Sequence, residues 1–185
     1  MPETATIRPM IEQDILQVLG WRNTPAIQIM MFTSREISFE EHLAWFQRTH
    51  QDPTRRLLIV ETQDGPLGFI QFSGVEDNGV SDWGFYTRPN APKGSGRRLG
   101  LTALDHAFFV LNLHKVCGKA IARNHASIGL HKRLGFQEEG LLRDHHRING
   151  DFESIYYFGL LRSEWQETRL ELLSQTTSHN QGGQE

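Results

Sequence analysis

Apolar residues run through this chain in short blocks whose spacing alternates between period two and period 3.6. Thr6-Ile7-Arg8-Pro9-Met10 suits a short opening strand. Between Glu12 and Trp21, Ile15, Leu16, Val18 and Leu19 fall on helical spacing, and Asn23-Thr24-Pro25 is read as the stop. Ser38-Phe39-Glu40-Glu41 has the form of a capping box opening a helix whose apolar face is Leu43, Trp45 and Phe46. Leu57 to Glu61 reads as a strand, and Gln63-Asp64-Gly65 turns it into a second at Leu67 to Phe72. Val80 to Tyr86 is another strand. Gly96 to Leu113 is helical, with Gly100, Ala103, Leu104, Ala107, Phe108 and Leu111 on one face. Val116 to Ala122 returns as a strand and Ala126 to Leu134 as a short helix; strands near Gln137–Arg143 and Phe152–Leu161 close the pattern. This order predicts an α/β domain whose central sheet is of mixed direction, neither all-parallel nor a sandwich.

The 185 residues suit a single domain, since a chain of this size buries roughly 70% of its extended surface without a staple. No linker or repeat divides it. Residues 1–173 are read as the domain, and Ser174 to Glu185, rich in Ser, Thr, Gln and Gly, as a disordered polar tail. Lys+Arg number 19 against 22 Asp+Glu, a net −3 that gives no whole-molecule attraction to nucleic acid or anionic membrane. The single cysteine, Cys117, excludes an internal disulfide and a Cys-rich zinc site; in a strand it is expected to be inert core. No apolar run approaches the ~18 residues of a membrane span, and the first residues lack the features of a signal peptide. A cytoplasmic protein is expected. Nine histidines occur without H-E-x-x-H or comparable spacing, so no metal site is expected.

The chemically specific stretch is a strand, Val80-Ser81-Asp82-Trp83-Gly84-Phe85-Tyr86, followed after a loop by Lys93-Gly94-Ser95-Gly96-Arg97-Arg98-Leu99-Gly100. Glycines let backbone approach a ligand, and a helix start offers unpaired N–H groups carrying partial positive charge. Such an arrangement holds a pyrophosphate. The spacing G-x-G-x-x-x-G fails the dinucleotide fingerprint, and no G-x-x-x-x-G-K-[ST] string exists.

A second motif runs Asn124-His125-Ala126-Ser127-Ile128-Gly129-Leu130-His131-Lys132-Arg133-Leu134-Gly135-Phe136, then Glu138-Glu139-Gly140. Together the two segments resemble the acetyl-CoA-dependent GNAT acetyltransferases. The glycine turn matches that family's pattern at Gly94 and Gly96 but has Ala91 where the family has Arg or Gln. The likeness follows element order from Ile7 to Trp165. It implies a sheet that splays between the Val80–Tyr86 strand and the strand before Asn124, with the cofactor's pantetheine arm paired to backbone around Phe85, Tyr86 and Thr87. Lys93, Gly94, Ser95, Gly96, Arg97 and Arg98 would cradle its pyrophosphate. Asn124 and Ser127 would meet the arm, and Lys132 or Arg133 the ribose phosphate.

The family usually places tyrosine where this chain has His131, the position that protonates the departing thiolate. An imidazolium, with a reference pKa of about 6.5, suits that task; simple packing beside the cofactor is the other reading. Amine deprotonation requires a base, for which Asp82, Glu61, Glu41 and His42 are candidates, Asp82 foremost. Trp21-Arg22-Asn23, Ile29 to Phe32, Ile37 to His42 with Trp45, Asp82 to Tyr86, Leu130-His131-Lys132 and the Tyr156 to Trp165 region resemble a nucleotide-sugar branch of the family. That branch acetylates the 4-amino group of a UDP-linked amino-dideoxy sugar in pseudaminic acid synthesis. Arg22, Asn23, Met31, Phe32, His42 and Trp83 would then shape the acceptor pocket, and a homodimer is possible. Ribosomal-protein N-terminal acetyltransferases share parts of these matches. Protein or peptide N-terminal acetylation, and a non-catalytic CoA- or nucleotide-binding module, are the competing readings.

Overall fold

In a computed structural model that describes residues 5–178, seven strands form one open sheet. They are β1 (Thr6–Pro9), β2 (Arg55–Thr62), β3 (Gly65–Ser73), β4 (Val80–Thr87), β5 (Lys115–Ile121), β6 (Gln137–Ile148) and β7 (Asp151–Leu161). Their order across the sheet is β1-β2-β3-β4-β5-β7-β6. Every neighbouring pair is antiparallel except β4 and β5, so the mixed sheet read from the sequence is present.

The helices are α1 (Ile15–Arg22), α2 (Pro25–Gln28), α3 (Phe39–Gln51), α4 (Ser95–Asp105), α5 (His125–Arg133) and α6 (Arg162–Ser178). On one face, α1 and α3 seal Val18, Trp21 and Phe46 against Ile59 and Phe69. The larger core lies on the other face, where Leu99, Ala103 and Leu104 of α4, Leu130 of α5 and Trp165 of α6 meet Ile70, Phe72 and Val116.

Several boundaries differ from the sequence reading for local reasons. α1 ends at Arg22 with Asn23 as its C-cap, where the sequence places the stop, but Pro25 also opens a further short helix, α2, in whose first turn its missing N–H costs nothing. The helix expected to run to Leu113 becomes a single π turn, His106–Val110, after Asp105. Ser38 Oγ accepts the Glu41 N–H at 3.2 Å, but the Glu41 carboxylate turns to Arg35 instead of closing the capping box. α6 runs to Ser178, five residues into the stretch read as a polar tail. Residues 179–185 lie outside the described residues.

Candidate functional site

β4 and β5 pair only at Val80↔Lys115, Ser81↔Val116 and Asp82↔Cys117. Beyond that point β4 continues to Thr87 and β5 to Ile121 without bonding to each other, so the sheet splays. A cavity of about 640 Å³ opens in the gap and reaches both faces of the sheet. Side-chain alternation divides its lining. Asp82, Gly84 and Tyr86 face α1 and α3, with Tyr86 against Phe69 at 5.3 Å between ring centres. Trp83 and Phe85 face the opposite core, where their rings lie 4.7 Å apart.

His131 stands on this second side, 1% exposed and stacked on Phe158 with ring centres 4.8 Å apart. Both of its ring nitrogens are engaged. Trp83 Nε1–H donates to Nε2 at 3.1 Å, which leaves the proton on Nδ1, 2.8 Å from the Ser127 carbonyl that accepts it. Burial pushes the imidazole pKa down to about 4, partly opposed by the Ser127 bond. The imidazolium acid expected from sequence therefore does not fit: at neutral pH the ring is uncharged, and a proton on Nε2 would face the indole N–H. Gly118 of β5 makes the pair possible, because a Cβ there would collide with His131 Nε2 and Trp83 Nε1.

The expected cofactor residues divide sharply. The open edge of β4 around Phe85–Thr87 presents backbone to the gap. Asn124 caps α5, its Oδ1 accepting the Ser127 N–H at 3.1 Å, and both residues line the cavity. Gly94 precedes α4 with φ +91°, a left-handed conformation that favours glycine, and no acidic residue occupies the first turn. A Cβ on Gly96 would meet the Leu130 side chain at 3.5 Å, an ordinary contact, so a side chain can be accommodated there. An arm paired to strand backbone and a pyrophosphate on helix amides fit this set.

The basic side chains fit less well. Arg97 donates to the Leu172 carbonyl of α6 at 2.6 Å, committing its guanidinium away from the cradle. With Lys93, Gly94 and Arg98 it borders a second groove, of about 790 Å³, against β1 and Leu173. Lys132 pairs with Glu138 at 3.3 Å, and Lys132 and Arg133 are exposed without lining the cavity.

Toward α1 and α3, Arg22 is 9% exposed. Its Nη2 donates to the Thr33 carbonyl at 2.5 Å, while Nη1 is buried with no hydrogen-bond partner among the described residues. His42 stacks on Trp45 at 4.8 Å, and its Nε2 likewise has no partner. Burial and the nearby Arg22 charge hold the His42 pKa below its ordinary value, and burial raises that of the Tyr86 hydroxyl. Met31 and Phe32 line the cavity as expected. Asn23 does not: its Nδ2 donates to the Ile37 carbonyl and its Oδ1 accepts the Ile37 N–H, so its side chain pins a loop. Trp83 belongs to the His131 side, its indole N–H already used.

Of the candidate bases, Glu61 pairs with Arg8 at 3.0 Å and is not in the cavity lining. Glu41 and Asp82 are there, but each is ion-paired: Glu41 with Arg35 at 2.5 Å, Asp82 with Lys119 at 3.4 Å. Cys117 is half-buried, and burial raises its thiol pKa, in keeping with an unreactive side chain. Arg48, Arg55, Gln71 and Lys119 also line the cavity and were missed. Arg48 could have been found three residues beyond Trp45 on α3; the others lie on strands whose facing direction follows only from sheet order. Among the described residues no helix is long and apolar enough to cross a membrane, and no three His, Cys, Asp or Glu side chains are grouped to hold a metal ion.

Residues 5–137 match the family described as Acetyltransferase (GNAT) domain. Spermidine N(1)-acetyltransferase of Vibrio cholerae is 26% identical over 170 residues, covering 89% of this chain and 97% of the relative. Acetyltransferase PseH of Campylobacter jejuni is 27% identical over 151 residues, covering 82% and 88%. The crystal structure of the Vibrio cholerae spermidine N-acetyltransferase in complex with CoA and spermine superposes with a TM-score of 0.81 at 25% identity, covering 88% of this chain and 98% of that one.

Proposed function

The chain belongs to the GNAT family of acetyl-CoA-dependent N-acetyltransferases, and from that premise we propose that its acceptor is the 4-amino group of a UDP-linked amino-dideoxy sugar. Acetyl-CoA supplies an activated acyl group, held along β4 and over the start of α4. Backbone N–H groups on the open β4 edge are fixed donors for the carbonyl oxygen, an arrangement that can contribute roughly 3 kcal/mol. The amine approaches from the α1–α3 side. As the C–N bond forms and the C–S bond breaks, nitrogen loses a proton and the thiolate gains one. His131, neutral and doubly bonded, orders Trp83 beside this point and does not supply that proton.

The observation that carries the acceptor reading is the charge of the cavity wall. Arg22, Arg48, Arg55 and Lys119 line it, against Glu41 and Asp82, with Lys119 paired to Asp82 and Arg55 to Asp52 outside the lining. Both carboxylates already have cations, whereas Arg22 Nη1 is a buried donor awaiting an acceptor. A buried unsatisfied donor costs ~1–3 kcal/mol, which an anionic acceptor such as a nucleoside diphosphate would recover. A polyamine would instead need free carboxylates, and a peptide amine would gain little from the arginines.

The test is thiol release from acetyl-CoA with a UDP-4-amino-4,6-dideoxy sugar, spermidine and N-terminal peptides as acceptors, in wild type and Arg22→Ala. The UDP-sugar is expected to have the highest kcat/KM. Arg22→Ala is expected to raise its KM about tenfold or more while leaving the acetyl-CoA KM nearly unchanged. Preferential turnover of spermidine or peptide would overturn the acceptor assignment; CoA binding without turnover of any amine would favour a silent module.

A further inference from the structure

The roof of the acceptor side is the segment 29–37 between α2 and α3, which contributes Met30, Met31, Phe32, Thr33 and Ile37 to the cavity. It has no regular structure of its own beyond turns and bends. Its position is set by side chains that reach it from two directions. From α1 come the Arg22 bond to the Thr33 carbonyl and the double bond between Asn23 and Ile37.

The second set comes from the other half of the sheet, more than 90 residues away in sequence. Arg123, beside the Asn124 cap, donates Nη2 to the Ile29 carbonyl at 2.9 Å and pairs with Glu153 of β7 at 2.6 Å. His146 of β6 lies 3.1 Å through Nε2 from the Phe32 carbonyl, and its ring meets the Phe32 ring edge-on at 5.3 Å. Asn149, at the tip of the β6–β7 hairpin, accepts the Ser34 hydroxyl at 2.6 Å. The hairpin tip is itself anchored, since Ile148 is buried with Ile121 and Ile155.

We propose that the β6–β7 hairpin tip fixes the acceptor loop, making His146 and Asn149 positioning residues for acceptor binding although neither lines the cavity. The chemistry is plain: Phe32 reaches the cavity from a backbone whose carbonyl is held by His146, and Ser34 two residues later is held by Asn149. Released from both, segment 29–37 keeps its α1 contacts and Arg123 but no longer presents Met31 and Phe32 at one depth. Loss of a preorganised loop weakens binding without touching the reacting groups. The inference rests on the cavity being the acceptor site, and not on which amine enters.

The experiment compares wild type with Ser34→Ala, His146→Ala and their double variant; Asn149 stays unchanged because its φ of +52° would make replacement a backbone perturbation. Hydrogen exchange of the 29–37 amides is the acceptor-independent arm. Steady-state kinetics, with whichever of the three acceptor types wild type turns over best, is the second arm. Expected results for the double variant are faster exchange in 29–37 with β2 and β3 unchanged, an acceptor KM raised about tenfold, and kcat and the acetyl-CoA KM within about twofold. Such a tenfold change corresponds to about 1.4 kcal/mol. His146→Gln, which retains an amide donor for the Phe32 carbonyl, is expected to recover part of the KM. Unchanged exchange in 29–37 would overturn the tie; faster exchange with an unchanged acceptor KM would overturn its role in binding. Either result stands whether or not the UDP-sugar is the best acceptor.

Discussion

Trp83 and His131 hold each other in one protonation state. The indole N–H can only donate, so His131 Nε2 must accept, and the ring proton goes to Nδ1 and the Ser127 carbonyl. Desolvation is the larger influence and sets the imidazole pKa near 4 in the folded chain, against about 6.5 when unfolded. Between those values the unfolded chain binds the extra proton, so stability rises with pH across this window. The contribution is complete above about pH 6.5 and is lost as pH falls toward 4, amounting to on the order of 3 kcal/mol. His42 and His106, also lowered chiefly by burial, act with the same sign. The measurement is therefore a difference: denaturant unfolding of wild type and His131→Phe from pH 4 to 7.5. The variant is expected to be less stable at pH 7.5, by about 1–3 kcal/mol for the stranded Trp83 and Ser127 groups, and to depend less steeply on pH. Equal slopes would mean that His131 is not held neutral.

At the scale of elements, the start of α4 separates helix stability from ligand binding. A carboxylate in the first turn of a helix is favourable by ~0.3–1 kcal/mol through the helix dipole, yet it repels a bound pyrophosphate. Gly96→Asp is thus expected to leave the melting temperature of the free protein unchanged or slightly higher, while calorimetry shows acetyl-CoA affinity reduced at least tenfold. Unchanged affinity would remove the pyrophosphate from this position. The place of this turn was legible in the sequence because glycine spacing and a helix start are local signals, as was the Ser38 cap. What stayed hidden was directional. Arg97 reads as a phosphate ligand until α6 is seen to offer the Leu172 carbonyl. Asn23 reads as part of an acceptor motif until Ile37 occupies both ends of its amide. Gly118 carries no signal at all in a strand pattern; its meaning depends on two rings that arrive from β4 and α5. Periodicity predicts which elements form, whereas these assignments need the contacts between them.

The whole molecule is a sheet in two parts, β1–β4 and β5-β7-β6, whose backbone joint is three residue pairs. Side chains reinforce it: the core beneath α4 spans both parts, and Arg123, His146 and Asn149 cross it above the acceptor loop. The opening lets a cofactor bond to strand backbone, but it also leaves the β4 edge from Trp83 to Thr87 without its β5 neighbour. A ligand seated there, with its pyrophosphate on α4 and its arm beside Asn124, contacts elements of both parts and binds only the folded state. Linkage then gives ~2.7 kcal/mol of stabilisation at a CoA concentration one hundred times Kd. For a domain of this size each kcal/mol moves Tm by ~2–4 °C, so saturating CoA is expected to raise Tm by roughly 5–10 °C. The rise should fall to about half or less in Gly96→Asp at the same CoA concentration, since a tenfold weaker Kd leaves ~1.4 kcal/mol, and should be preserved in the Ser34→Ala/His146→Ala double variant, whose lesion lies on the acceptor side. Hydrogen exchange should slow along 83–87 when CoA is added. A Tm rise of normal size without slower exchange in that strand would place CoA somewhere other than the splay.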